Sequence, residues 1–236
     1  MEASEGGMNS PPSGADEAAR EKVDGEGGGD GEPSAARVPA RQQVVECRCA
    51  RAGHGAIGLF AFALTTYVAM GPVTGMVGRE EGRAVLGPLA LFYGGAVQLL
   101  AGAWAWKNRD VLGATAFPTY GAFWLAIGLY EILQGAGVQA ERSPEGLAML
   151  LAGFGFLSLI FMGMAARKDV AHTTVFALLA PTFFLLVAGE FVNGAAIAGG
   201  ALGIATALAA FYTGAAVLAN DVYQRPVIPL GQPLLT

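Results

Sequence analysis

The sequence predicts an all-α membrane protein whose membrane domain is a bundle of six transmembrane helices. The chain has 236 residues, of which 53% are hydrophobic and only 14% are charged. Charges are concentrated at the start, because residues 1–51 hold ten of the nineteen acids and six of the fourteen bases. The remainder contains six apolar segments close to the roughly 20 residues that a helix needs to cross the hydrocarbon core. It shows no alternation with a period of two residues, which argues against a membrane β-barrel.

The six predicted spans fall within residues 53–224 and are joined by short polar connections. They run Ala56–Val77, Leu86–Trp106, Leu112–Leu133, Leu147–Ala166, Val170–Phe191 and Ala195–Ala219. Short connections place consecutive helices side by side and antiparallel, which gives one compact domain. Glycine and alanine are frequent in the second, fourth and sixth spans, as expected where helix backbones approach closely in a membrane.

The two ends of the chain are predicted to be tails in the cytoplasm. Residues 1–52 are rich in Gly, Pro, Ser and Glu, and bury too little apolar area to offset the entropy cost of folding, so we expect a disordered tail. Its cysteines, Cys47 and Cys49, have no second Cys or His pair at a zinc-site spacing, so we expect free thiols, no metal and no cofactor. Residues 225–236 form a second, shorter tail.

The distribution of Lys and Arg predicts the orientation in the cell membrane. If the helices alternate in direction, nine basic residues outside the first 36 lie on the side of the two termini and three lie on the other side. The excess of basic residues marks the cytoplasmic side, so both termini are expected in the cytoplasm. Trp104, Trp106 and Tyr223 would lie at that same interface, where aromatic side chains are enriched.

The charged residues within and beside the spans do not form a pattern typical of an enzyme. Glu131 and Glu190 stand near the ends of spans three and five, and we interpret both as solvated helix ends. His54 and His172 have no partner pattern that indicates a metal or a catalytic base. Motifs of metalloproteases, serine hydrolases and nucleotide-binding loops are missing from the sequence, so we expect no enzymatic activity and no nucleic-acid partner.

Neutral polar residues are the notable feature at membrane depth. Threonine can satisfy its own helix backbone, but a buried glutamine amide needs up to four hydrogen bonds from other helices or water. These residues predict a weakly polar path for a small solute, and they leave open a structural scaffold in which they only join helices. They are Thr65, Thr66, Tyr93, Gln98, Thr115, Thr119, Tyr120 and Thr206.

Four segments carry a resemblance to a known family. They read GLFAFALTT at 58–66, FYGGAVQLLAG at 92–102, GATAFPTYGAFWL at 113–125 and RPVIPLG at 225–231. In this order and spacing they resemble the acetate uptake transporter family, also called the succinate–acetate permease or GPR1/FUN34/YaaH family. The resemblance extends from about residue 56 to residue 231.

The resemblance implies a six-helix subunit with its own pore, assembled into a ring-shaped homo-hexamer. It implies transport of acetate and related short carboxylates such as succinate, with a proton or as a channel. Family members narrow the pore at a hydrophobic collar, which corresponds here to Phe62, Tyr120 and Leu179. Ammonium or another small solute is the alternative cargo, and a membrane scaffold that transports nothing is the alternative role.

One family motif is replaced in this chain. The family reads N-P-A-P-L-G-L at the start of the first span, where this sequence has GHGAIGL at 53–59. The motif is associated with substrate entry, so the corresponding entrance residues here are His54, Ile57, Gly58 and Leu59. His54 offers a polar, titratable group where the family has proline.

Overall fold

The computed structural model describes residues 54–138 and 143–235, and it contains six long helices. The predicted tail at residues 1–52, with its two cysteines, lies outside the described residues. All six helices are long and apolar enough to cross a membrane, which confirms the predicted six-helix membrane fold. They are α1 (His54–Thr74), α2 (Arg79–Lys107), α3 (Val111–Gly135), α4 (Pro144–Ala165), α5 (Val170–Gly189) and α6 (Asn193–Tyr223).

The helices follow one another around a ring. Helix α2 packs against both α3 and α1, α1 packs along α6, α6 along α5, and α5 along α4, whereas α4 and α3 touch only slightly. Because consecutive helices alternate in direction, α1 begins and α6 finishes at one end of the bundle, which we call the terminal end. The opposite end, where α2 begins at Arg79, is the distal end. Side chains at the centre of the ring form the core.

Helices α2 and α6 extend furthest beyond their predicted limits. Helix α2 begins at Arg79, where the sequence predicted a loop up to Leu86. Glu80 and Glu81 in its first turn favour a helix, because negative charge is stabilised at a helix N-terminus. Helix α6 continues past Ala219 to Tyr223, so its last turn carries polar residues that a hydropathy pattern alone does not assign to a span.

The middle of α2 is a π-helical segment, Ala90–Val97. Gly94 and Gly95 lie within it and let α2 approach its neighbours. A Cβ atom at Gly94 would lie 2.8 Å from the Thr65 side chain of α1 and 2.9 Å from the Trp124 ring of α3. Short π segments inside α-helices occur often at functional sites. No sequence pattern predicts this one.

Glycines also set the distance between α2 and α3. A Cβ atom at Gly121 would lie 3.1 Å from the backbone oxygen of Gly95, and one at Gly102 would collide with the ring of Pro118. Pro118 is inside the continuous helix α3, so its ring fills the groove that Gly102 leaves open. These contacts bring the two helix backbones together along much of their length.

The segment after α6 folds back over the terminal end of the bundle. The Asn220 side chain receives hydrogen bonds from the backbone N–H groups of Val227 and Ile228, at 2.6 and 3.0 Å. Farther on, the Ala171 N–H donates to the Leu230 carbonyl at 2.9 Å, and the Leu234 N–H donates to the Ala166 carbonyl at 2.8 Å. The predicted C-terminal tail is therefore packed across the connection between α4 and α5.

We expect Gly102→Ala to lower the free energy of unfolding by about 1–3 kcal/mol, because the added methyl group overpacks the contact with Pro118. Gly153→Ala in α4 is the matched control, since nothing within the subunit lies within 4 Å of a Cβ atom there. The control should be neutral or slightly stabilising. Thermal unfolding of both variants in the same detergent checks this, and equal melting temperatures would contradict the contact.

Candidate functional site

A cavity of about 180 Å³ opens at the distal end of the ring and reaches toward its middle. Its deep part is apolar and is lined by side chains such as Phe62, Leu179 and Phe183. Its mouth is charged, because Arg79, Arg83, Glu131 and Glu190 line it at the distal ends of three helices. The cavity therefore joins a charged opening to an apolar interior.

An aromatic collar stands at the deep end of this cavity. The rings of Phe62 and Tyr120 meet edge to face with centroids 5.7 Å apart. On its other sides the Tyr120 ring packs against Phe161 at 5.9 Å and Phe176 at 6.3 Å. Leu179 lines the cavity beside Phe62. Each of the three predicted collar residues is no more than 5% exposed; Phe62 and Leu179 line the cavity, and Tyr120 packs against Phe62 without being a lining residue itself.

A hydrogen bond fixes the orientation of the Tyr120 ring. The Ser158 hydroxyl donates to the Phe154 carbonyl of its own helix at 2.7 Å. Its oxygen is then free to accept from the Tyr120 hydroxyl, also at 2.7 Å. The tyrosine hydroxyl is therefore committed to α4, and the ring alone faces Phe62. Sequence reasoning missed Ser158, which no motif marks as a partner of α3.

Four uncharged, buried polar groups near the cavity have no hydrogen-bond partner among the described residues. They are the hydroxyls of Thr65 and Thr66, the Gln98 amide oxygen and the Trp124 indole N–H. Thr66 and Trp124 line the cavity, Thr65 and Trp124 flank Gly94, and Gln98 follows Gly94 by one turn of α2. Burying such groups unpaired costs roughly 1–3 kcal/mol each. Groups of this kind are suited to binding a polar solute or water.

The other predicted polar residues are spread over different parts of the subunit. Thr115 is exposed and donates to the Val111 carbonyl at 2.9 Å, and Thr119 donates to the Thr115 carbonyl at 2.7 Å. Both satisfy their own helix and neither lines the cavity. Tyr93 is half-buried in the π segment and does not line it either. Thr206 is fully buried and lies 3.2 Å from Thr182, a lining residue that the sequence did not single out.

The interpretation of Glu131 as a solvated helix end is wrong. One of its carboxylate oxygens lies 2.8 Å from Nε of Arg83, and the two side chains are 18% and 19% exposed. Arg83 also pairs with the exposed Glu80 at 3.3 Å. The pair escaped the sequence analysis because Arg83 was assigned to a loop, although it is on the second turn of α2. Glu190 lines the same mouth.

The four predicted entrance residues have separate roles at the terminal end. Ile57 is 40% exposed on the outside of the subunit. Gly58 faces Phe117 of α3 so closely that a Cβ atom would lie 2.6 Å from its ring, and Leu59 is buried. Only His54 takes part in a polar network.

His54 is not isolated, and it links α1 to the connections at the terminal end. Its ring nitrogens lie 2.8 Å from the Asn108 amide nitrogen and 3.2 Å from a carboxylate oxygen of Asp110. Lys168 reaches the same oxygen at 3.2 Å. The hydrogen bond with His54 and the positive charge of Lys168 hold the pKa of Asp110 well below its usual range, although burial opposes this.

His172 also has a carboxylate partner. Asp169 accepts the His172 backbone N–H at 2.8 Å and so caps helix α5, and it also lies 2.8 Å from the imidazole Nδ1. Burial raises the pKa of Asp169, but the hydrogen bonds and charge of His172 outweigh it and lower the pKa overall. Both histidines therefore stabilise helix connections at the terminal end.

We expect Asp110→Asn to reduce stability by about 1–3 kcal/mol, because asparagine keeps the helix cap but loses the charge. A carboxylate with a lowered folded-state pKa stabilises above its unfolded pKa, which is near 3.8, and loses this effect as the pH falls below that value. The difference in melting temperature should therefore be present at pH 5 and shrink below about pH 4. Glu81→Gln, on the exposed first turn of α2, is the control. A difference that does not shrink in acid would contradict a charge effect.

Comparison with known proteins places the chain in a family. The model of the GPR1/FUN34/yaaH family matches residues 38–232. Acetate permease A of Emericella nidulans is 32% identical over 191 residues, which cover 74% of this chain and 64% of that protein. Succinate-acetate/proton symporter SatP of Escherichia coli is 27% identical over 179 residues, which cover 75% of this chain and 93% of the symporter.

A solved structure shares the fold. The bacterial acetate channel SatP aligns with a TM-score of 0.72 and 24% sequence identity, covering 77% of this chain and 99% of the channel. The chain spans about 60 to 68% of the length of the fungal relatives that it matches. The matched region contains all six helices and the aromatic collar. The chain belongs to the GPR1/FUN34/yaaH family.

Proposed function

We propose that this protein carries acetate and related short-chain carboxylates, succinate among them, across the cell membrane. The observation that carries the proposal is the aromatic collar at the end of a cavity that also contains unpaired polar groups. The names of the relatives, an acetate permease and a succinate-acetate/proton symporter, support the same class of substrate. In this view each subunit has its own pore, and the protein is a transporter with no enzymatic activity.

The chemistry of the collar favours the neutral acid over the anion. Transferring a bare carboxylate into an apolar ring of Phe62, Tyr120 and Leu179 is costly, whereas the protonated acid loses far less hydration energy. The Thr66 hydroxyl and the Trp124 N–H line the approach and can donate to a carboxyl oxygen. Among the described residues, no arginine or lysine lines the deep part of the cavity, so binding there is weak enough for release. A proton then crosses with each acid molecule.

The same proposal includes an orientation and an assembly. Lys107, Arg109, Arg167, Lys168 and Arg225 lie at the terminal end, which supports a cytoplasmic location for both termini. Trp104 and Trp106 are 50% and 77% exposed at that end, as interfacial anchors would be. The mouth at the distal end then faces the outside. The outer helix faces are apolar, which suits both lipid and the neighbours in a ring-shaped homo-hexamer.

The test uses the purified protein in liposomes loaded with a pH-sensitive dye. An inward acetate gradient should acidify the lumen faster than in protein-free liposomes. An ammonium gradient is the second arm, because flux that responds to ammonium and ignores acetate would replace this proposal with the alternative cargo. A lack of flux in both arms would indicate a scaffold.

Tyr120→Ala should widen the collar, because it removes the ring between Phe62, Phe161 and Phe176. We expect the ratio of butyrate to acetate uptake to rise at least roughly tenfold, since pocket size discriminates by about that factor for one added methylene and butyrate has two more than acetate. Tyr120→Phe is the matched control, because it keeps the ring and loses only the bond to Ser158. Uptake of the two acids by the three proteins is measured in the same liposomes. An unchanged ratio of butyrate to acetate uptake in Tyr120→Ala would show that Tyr120 does not set the width of the collar.

A further inference from the structure

We propose that Arg83 binds the carboxylate of an incoming substrate at the mouth of the cavity, in exchange for the carboxylate of Glu131. This inference rests on the proposed function and identifies the first binding step on the pathway. When no substrate is bound, Glu131 pairs with Arg83. A substrate that enters from the distal end displaces Glu131, is held briefly, and then continues toward the collar.

The geometry places this pair on the path. Arg83 and Glu131 both line the cavity, on α2 and α3 respectively, and their side chains are only 19% and 18% exposed. Glu80, the second partner of Arg83, is 75% exposed and lies at the longer distance of 3.3 Å. The closer ion pair of Arg83 is therefore the half-buried one, with Glu131 at 2.8 Å.

Arginine has donors to spare for a second carboxylate. Its planar guanidinium carries five N–H groups, of which one on Nη1 donates to Glu80 at 3.3 Å, and Glu131 lies beside Nε as an ion pair. The fork of N–H groups matches the two oxygens of a carboxylate, which makes arginine well suited to carboxylate recognition. Glu131 presents the same chemical group as the proposed substrate, so the two compete for the same donors.

A purely structural role explains the pair less well. Two helices in a membrane protein are held together more cheaply by apolar contacts than by charges taken out of water. The neighbouring contact between α2 and α3 already uses glycines, at Gly87 and Gly128. Ionisable groups inside a membrane bundle usually line a pathway for solute. The charge at this mouth is also balanced, with Arg79 and Arg83 beside Glu131 and Glu190, so an anion is attracted without being trapped.

The test compares Arg83→Gln and Glu131→Gln, because competition predicts opposite effects on KM. Acetate influx is measured at a fixed pH in liposomes whose protein is oriented with the distal end outward. Arg83→Gln should raise KM about tenfold, the loss expected for a hydrogen bond to a charged group, with a smaller change in the maximal rate. Glu131→Gln should lower KM severalfold, because it frees the donors of Arg83.

Two further variants sharpen the result. Arg83→Lys keeps the charge and loses the fork, so its KM should lie between those of the wild type and Arg83→Gln. Arg225→Gln removes an exposed arginine at the terminal end and should leave KM unchanged. Thermal unfolding of each variant identifies any that fold poorly, and KM is compared only among proteins with the melting behaviour of the wild type.

The outcomes separate this inference from the proposed function. If the wild-type protein carried no acetate flux, the proposed function would be wrong, and so would the inference that rests on it. Normal wild-type flux with equal KM values in the wild type and Arg83→Gln would overturn the inference alone. Equal increases in KM for Arg83→Gln and Glu131→Gln would show that the pair only holds α2 to α3, which would also overturn it.

Discussion

The close approach of α2 to α3 is the contact on which the rest of the structure depends. In a membrane, lipid is as apolar as the side chains, so helices associate through close packing and hydrogen bonds instead of the hydrophobic effect. Here glycine at Gly95, Gly102, Gly121 and Gly128 lets the two backbones touch. This contact places Trp124 against Gly94 and puts Glu131 beside Arg83. A larger side chain at these glycines would separate both pairs.

The opposite side of α3 is held by side chains instead of backbone contact. Helices α3 and α4 touch only slightly, and the space between them is filled by the bond of Tyr120 to Ser158 and by the rings of Phe123 and Phe154, whose centroids are 4.7 Å apart. The ring is therefore closed between α3 and α4 by side chains, whereas α2 and α3 are joined by their backbones.

Hydropathy over about 20 residues was sufficient to predict the six spans, because crossing a membrane constrains whole segments. The direction that each residue faces was harder to predict, since lipid and core are both apolar and the helices have no distinct polar face. Thr115 and Thr119 were therefore expected to line the pore, although they lie away from the cavity. Arg83 was predicted to lie in a loop because the stretch around it is polar. Its partner, Glu131, is 48 positions away in the sequence, so the ion pair follows only from the fold. The family resemblance supplied the collar residues, but Ser158 and the π segment follow from tertiary contacts alone.

The folded-back C-terminal segment braces the ring of helices at its terminal end. Hydrogen bonds from Ala171 to Leu230 and from Leu234 to Ala166 tie the turn between α4 and α5 to the chain that leaves α6. That turn is therefore fixed both by the helices that it joins and by the segment that follows α6. Glycine contacts join α2 to α3, and α1 packs against both α2 and α6. Tyr120 lies where α3 meets α4, the two neighbouring helices of the ring that touch least.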